Sequence, residues 1–95
     1  MKTVVTTLPV DIALRTLDHD GLQRVNAWFD HLRNWDSDET VRENSYPLKG
    51  MPGVFVLRTT TDIRIFFKME GDSITILDVA KKQSILASGH IAEVT

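Results

Sequence analysis

The sequence contains no cysteine, which excludes disulfide bridges, thiolate zinc sites, iron–sulfur clusters and cysteine nucleophiles. Its longest apolar run, Gly53–Leu57, is far too short to cross a membrane. The glycine-rich loops that bind nucleotides and the G-x-S-x-G motif of serine hydrolases are also absent. We therefore expect no metal, no cofactor and no membrane partner.

The first residues lack the apolar segment of a signal peptide, so a cytoplasmic location is expected. The chain has 95 residues, 42% apolar and 25% charged, which is typical of one folded domain covering residues 1–95. Its net charge of −2 is unevenly spread. Residues 1–48 carry five basic and eight acidic side chains, whereas residues 49–95 carry six and five. Indiscriminate nucleic-acid binding is not expected, but the second half can form a local basic face.

The first half of the chain has helical periodicity after one short strand. Lys2–Thr7 is rich in valine and threonine, which favours a strand, and Pro9 suits the first turn of a short helix. Asp20 is a candidate N-cap for a second helix that runs to about Trp35. The polar segment 36–45 is expected to be a loop with one helical turn at 38–42. The apolar residues of the second helix fall on one face: Leu22, Val25, Phe29 and Leu32.

The second half has the alternation of β-strands. Strands are predicted at Val54–Thr59, Ile63–Met69 and Ser73–Val79, and a helical turn at Gln83–Ser88. In the middle strand, Ile63, Ile65, Phe67 and Met69 share one face, and Arg64, Phe66 and Lys68 share the other. The expected fold class is α+β, with an N-terminal strand and a helical hairpin packed on one face of a small antiparallel sheet.

Basic side chains are the main candidates for a binding site. Arg64 and Lys68 alternate onto one face, Lys49 precedes the sheet, and Lys81 and Lys82 follow the last strand. Arginine and lysine on the uncovered face of a sheet can bind phosphate, and Phe66 on the same face could stack on a base. The alternative is an ordinary solvated sheet face, since exposed sheets usually carry charged residues.

The histidines and tryptophans give weaker signals. No pair of histidines has a metal-binding spacing, so His19 and His31 are expected at the surface. His90 could reach a cleft as a general acid or base, although it is also where a solvated tail residue would lie. Trp28 and Trp35 favour a core position over a ligand platform.

Three segments together resemble the RelE/ParE superfamily of type II toxins. They are L-K-G-M-P-G-V-F-V-L-R at residues 48–58, D-I-R-I-F-F at 62–67 and I-L-D-V-A-K-K at 76–82. The order of the N-terminal strand and helical hairpin is also similar, so the resemblance covers residues 2–88. It implies a toxin that is neutralised by a cognate antitoxin, with operator DNA contacted only through that antitoxin.

The RelE-like branch of this superfamily cleaves mRNA on the ribosome without a metal, which implies ribosome and mRNA as further partners. By that resemblance, Arg64 is the catalytic arginine that stabilises charge on the phosphate. Lys49, Lys82 and His90 match or lie near its other catalytic positions. RNA contacts are expected from Arg58, Phe66, Lys68 and Lys81.

The sequence also departs from the RelE-like pattern in two places. Pro47 stands where such enzymes carry a basic residue, and Ser88 stands where they often carry a tyrosine or histidine. Two other hypotheses therefore stay open. One is a ParE-like inhibitor of DNA gyrase that cleaves nothing, and the other is a degenerate member that only binds its antitoxin.

Overall fold

A computed structural model describes residues 1–81. These residues form one five-stranded sheet with helices on one face. The strand order is β1-β5-β4-β3-β2, and only the β1–β5 pair is parallel. The elements in chain order are β1 (Thr3–Thr6), α1 (Leu8–Arg15), α2 (His19–Arg33), α3 (Glu39–Glu43), β2 (Ser45–Pro47), β3 (Val54–Arg58), β4 (Ile63–Glu70) and β5 (Ser73–Lys81). The expected α+β fold class is confirmed.

A proline in the first turn of α1 and capping aspartates before α2 and α3 determine where the helices begin. Pro9 lies in the first turn of α1, as predicted. The prediction of Asp20 as the N-cap of α2 was wrong, because the Asp18 carboxylate accepts a hydrogen bond from the Gly21 amide at 2.7 Å. A second aspartate, Asp38, caps α3 by accepting from the Val41 amide at 3.1 Å, so the predicted turn in this segment is a short helix.

The strand β2 was not predicted. It is only three residues long and ends in proline. Tyr46 pairs with Val56 and Pro47 with Phe55, which makes β2 the edge of the sheet next to β3. An edge strand tolerates proline because its outer side needs no amide donor.

The main core lies between the helices and the inner face of the sheet. Ile65 and Phe67 of β4 are fully buried there, together with Leu32 of α2. Phe67 stacks on Phe55 with ring centroids 5.5 Å apart, and the Trp35 ring lies edge-on to Phe67 at 5.8 Å. Trp35 and Trp28 therefore belong to the core, as expected. Each large side chain buried here contributes about 1.5–3 kcal/mol.

The predicted alternation along β4 is confirmed, because Phe66 faces away from the helices and packs in a separate small cluster with Val56. Opposite Phe66, strand β5 has a bulge: Phe66 pairs with Asp78 and Phe67 with Ile76, so Leu77 is the extra residue. β5 continues to Lys81, two residues beyond its predicted end. The helical turn predicted at Gln83–Ser88 lies outside the described residues.

No helix within residues 1–81 is long and apolar enough to span a membrane.

Candidate functional site

The face of the sheet opposite the helices carries a small cationic cluster. Arg58 of β3 lies directly across from Arg64 of β4, and Tyr46 of β2 is one diagonal step from Arg58. We call Tyr46, Arg58 and Arg64 the outer-face cluster. It lies beside an apolar floor made by Val56 and Phe66, with Leu48, Leu77 and Ala80 packed around them.

Arg64 is the one buried charged side chain within residues 1–81, with 5% of its surface exposed. Its Nη1 donates to the carbonyl oxygens of Thr61 at 3.0 Å and Ile63 at 3.1 Å. Its Nε has no hydrogen-bond partner among the described residues. Since Nη1 is already used, the Nε–Nη2 edge of the guanidinium is the edge that suits two oxygens of a phosphate or carboxylate. Nε is covered, so an anion reaches this edge only after neighbouring atoms move.

The electrostatics of the cluster favour an anion. Burial lowers the pKa of Arg64, the nearby charge of Arg58 lowers it further, and Asp62 raises it. Within residues 1–81, no carboxylate oxygen lies within 4.0 Å of either arginine. Like charges placed directly across a strand pair destabilise the sheet, and a bound anion would relieve that repulsion.

Tyr46 is the aromatic residue that sequence analysis did not place at this site. Tyr46 is 46% exposed, and the guanidinium carbon of Arg58 lies 5.6 Å from the centroid of its ring, a cation–π distance. The missed signal is that β2 pairs with β3, which brings Tyr46 onto the face of Arg58. A strand of three residues gives too short a pattern to reveal that pairing.

Solved structures that resemble this fold include toxins and toxin–antitoxin complexes, although no family model and no curated protein matches the sequence. A chain of the RelB–RelE antitoxin–toxin complex from Methanococcus jannaschii superposes with a TM-score of 0.71 at 17% identity, covering 88% of this chain and 96% of that one. The chain has the fold of RelE toxins. The intact E. coli RelBE complex gives 0.70 at 12% identity, covering 85% and 96%. Isolated E. coli RelE gives 0.67 at 11%, covering 94% and 98%.

This RelE-like fold separates several of the predicted site residues. Lys49 is exposed at the tip of the β2–β3 hairpin, next to Gly50, whose positive φ of 82° shapes the turn. Lys68 lies on the outer face near that tip and forms an ion pair with Glu70 at 3.1 Å. Arg64 is four residues along β4 from Lys68, or about 13 Å of extended strand. Lys49 and Lys68 therefore lie at the end of the outer face that is distant from Arg64.

Two expectations for this face are corrected by the structure. Phe66 is only 4% exposed because Val56 and its neighbours cover it, so it offers no open ring for stacking on a base. Lys81 does not share the face of Arg64, because it lies across from Ile63, which points into the helix-side core. Lys82 and His90, the other predicted catalytic residues, lie outside the described residues.

On the helix side, Lys81 lines a cleft of about 500 Å³ at the junction of α1 and α2. Its charged lining is mixed, with Asp18, Asp20 and Asp62 beside Arg24 and Lys81. No group of three histidine or acidic side chains within residues 1–81 is arranged to hold a metal ion. The cleft therefore offers no concentrated charge of one sign, in contrast to the outer-face cluster.

Proposed function

We propose that this chain is the toxin of a type II toxin–antitoxin module and acts as a ribosome-dependent mRNA endonuclease. The observation that carries the proposal is Arg64, a buried arginine that lies across from Arg58 in a RelE-like fold and whose Nε has no hydrogen-bond partner among residues 1–81. A cation that is held at fixed carbonyl oxygens, with no carboxylate partner in the described part of the chain, suits an oxyanion that forms during a reaction.

In the proposed reaction, the ribose 2′-oxygen forms a bond to the adjacent phosphorus and the bond from phosphorus to the 5′-oxygen breaks. A base removes the 2′-hydroxyl proton and an acid protonates the departing 5′-oxygen, so charge accumulates on the non-bridging oxygens in between. Arg64 stabilises that charge, and Arg58 adds a second cation. Lys49, Lys82 and His90 are the candidates for further charge stabilisation and proton transfer, with His90 as the acid or base.

A cognate antitoxin is the proposed protein partner, because two of the structural neighbours are toxin–antitoxin complexes. Leu8 and Ile12 support such a contact: they are 68% and 52% exposed and four residues apart on one face of α1. We propose that an apolar segment of the antitoxin covers this face, and that operator DNA is contacted through the antitoxin. Since its proposed target is the translating ribosome, the toxin would act in the cytoplasm.

The test is inducible expression in a bacterium without the antitoxin, followed by mapping of mRNA 5′ ends. Wild type should arrest growth and produce cuts within translated codons. Arg64→Ala should reduce cutting about a hundredfold or more, the usual effect of removing a donor that stabilises a transition-state oxyanion. Arg64→Lys keeps the charge but loses the planar fork, so it should recover only part of the activity.

Arg15→Ala is the matched control, because Arg15 is exposed at the end of α1, on the helix side. It should cut like wild type. Circular dichroism and thermal unfolding of each purified variant separate lost function from lost folding. Unchanged cutting by a folded Arg64→Ala variant would contradict the assignment of the site.

A second candidate function is ParE-like inhibition of DNA gyrase. The observation that favours it is the small size of the outer-face cluster: Lys81 lies on the other face and Lys68 is paired with Glu70. In that case growth arrest would come with a DNA-damage response and without cuts in mRNA. Harmless expression would instead indicate a degenerate member that binds only its antitoxin.

A further inference from the structure

We propose that Tyr46 and Arg58 form a stacking platform for one base of single-stranded RNA, next to the phosphate that Arg64 binds. This inference rests on the proposed function and adds a substrate contact to it. Its basis is the placement of an exposed aromatic ring, a cation at 5.6 Å from that ring, and a second cation directly across the strand pair.

Tyr46 has the properties of a base platform. It lies on an edge strand, and about half of its surface is free, so one face of the ring can be covered by Arg58 while solvent remains beside it. The cation fixes the orientation of the ring, which lowers the entropy lost when a base stacks on it. Phe66 cannot serve instead, because only 4% of it is exposed.

The order of the three residues across the sheet matches the order of groups in a nucleotide. Tyr46, Arg58 and Arg64 lie on successive strands β2, β3 and β4 of the same face. A nucleotide carries a flat base on one side of its ribose and a phosphate on the other. The platform would therefore hold the base toward the sheet edge while the phosphate lies toward Arg64.

The first measurement uses a six-nucleotide RNA that carries 2′-O-methyl groups throughout, so that it cannot be cleaved, and a fluorescent label at one end. Its affinity is measured by anisotropy for wild type, Tyr46→Phe and Tyr46→Ala. Base–aromatic stacking predicts that Tyr46→Ala weakens binding about tenfold, within the general range of about 5- to 150-fold. Tyr46→Phe keeps the ring and should bind within about twofold of wild type.

Val5→Ala is the control, because Val5 is a comparably exposed apolar residue on β1, the sheet edge opposite to β2. It should bind RNA like wild type. Three results would each overturn the proposal. Wild type would fail to bind the RNA, Tyr46→Ala would bind it as tightly as wild type does, or Tyr46→Phe and Tyr46→Ala would lose the same amount of affinity. It would also be overturned if Tyr46→Ala kept its RNA affinity but resisted neutralisation by the antitoxin, since the ring would then contact protein.

The outcomes distinguish this inference from the proposed function. If the RNA binds in a Tyr46-dependent way but expression in cells produces no mRNA cuts, the platform stands and the endonuclease proposal fails. If cells show wild-type cutting by Tyr46→Ala and the RNA binds it normally, the endonuclease proposal stands and the platform is refuted.

Discussion

Replacing the buried arginine of the outer-face cluster with an apolar residue of similar length should stabilise the protein while abolishing the proposed mRNA cleavage. In Arg64→Met, the buried charge disappears together with its repulsion from Arg58. The Ile63 carbonyl keeps a partner, because the Thr59 hydroxyl also donates to it at 2.7 Å. Only the Thr61 carbonyl loses a side-chain donor, and it lies in a half-buried turn that water can reach.

The change in the free energy of unfolding of Arg64→Met follows from three contributions. Losing one charge-assisted hydrogen bond costs about 1.5–3 kcal/mol at most. Removing an incompletely paired buried charge recovers several kcal/mol of desolvation. Two like charges directly across a strand pair repel by roughly 1 kcal/mol where water screens them. The net expectation is that Arg64→Met unfolds with a free energy about 1 kcal/mol larger than wild type.

The assay is urea unfolding at low ionic strength, followed by the fluorescence of the core tryptophans, for Arg64→Met, Arg58→Met and the double variant. Urea is preferred because guanidinium chloride would screen the charges. Since either single substitution relieves the same repulsion, the double variant should be less stable than the sum of the singles by about 1 kcal/mol. Arg15→Met, at an exposed site, should stay within about 0.5 kcal/mol of wild type. Additive effects, or a loss of more than about 2 kcal/mol in Arg64→Met, would refute this account of the site.

Three further predictions concern the fold that holds the site. Two hydrogen bonds lower the pKa of Asp38: first that from His31 at 2.5 Å, then that from the Val41 amide. The stability that the Asp38 carboxylate contributes is therefore present above its unfolded pKa near 3.8 and is lost as pH falls through the lower folded pKa. Asp38→Asn should therefore lose less stability than wild type between pH 6 and pH 3 in thermal unfolding, and an equal loss would contradict the pairing. Gly50→Ala should lower the free energy of unfolding by about 1 kcal/mol, because its φ of 82° strains any other residue although the space is open; unchanged thermal unfolding would argue against that turn. Phe67→Ala should cost about 3–5 kcal/mol in urea unfolding, and a loss below about 1 kcal/mol would mean that this core position collapses around the gap.

Much of the fold could be predicted because its elements have strong periodicity. The apolar spacing of α2 and the alternation of β4 each repeat often enough to be recognised in one sequence. The N-cap of α2 was harder to predict. Both Asp18 and Asp20 are residues that can cap a helix, and which of them accepts from an amide two or three residues later depends on the backbone geometry. The strand β2 depends on its pairing with β3 and has little pattern of its own.

The candidate site was predicted only in part. Arg64 was found from its place in a strand of clear alternation, but Lys81 was predicted to follow the last strand, where no alternation assigns it to a face. The bulge at Leu77 shifts the alternation by one residue, which puts Val79 and Lys81 on the helix side and Ala80 on the outer face. The burial of Phe66 could not be predicted either, since it depends on side chains that β3, the β2–β3 hairpin and β5 bring around it.

The position of β1 affects the order in which the sheet can form during synthesis. Its four residues pair in parallel with the start of β5, so Thr3 meets Ser73 across most of the described chain. Strands β3, β4 and β5 can each pair with the preceding strand as soon as the ribosome releases them, because β2 to β5 are neighbours in sequence order. β1 therefore cannot pair until β5 has emerged. During that wait, Arg58 and Arg64 can already meet across β3 and β4, so the cationic pair can form on the nascent chain before the sheet is complete.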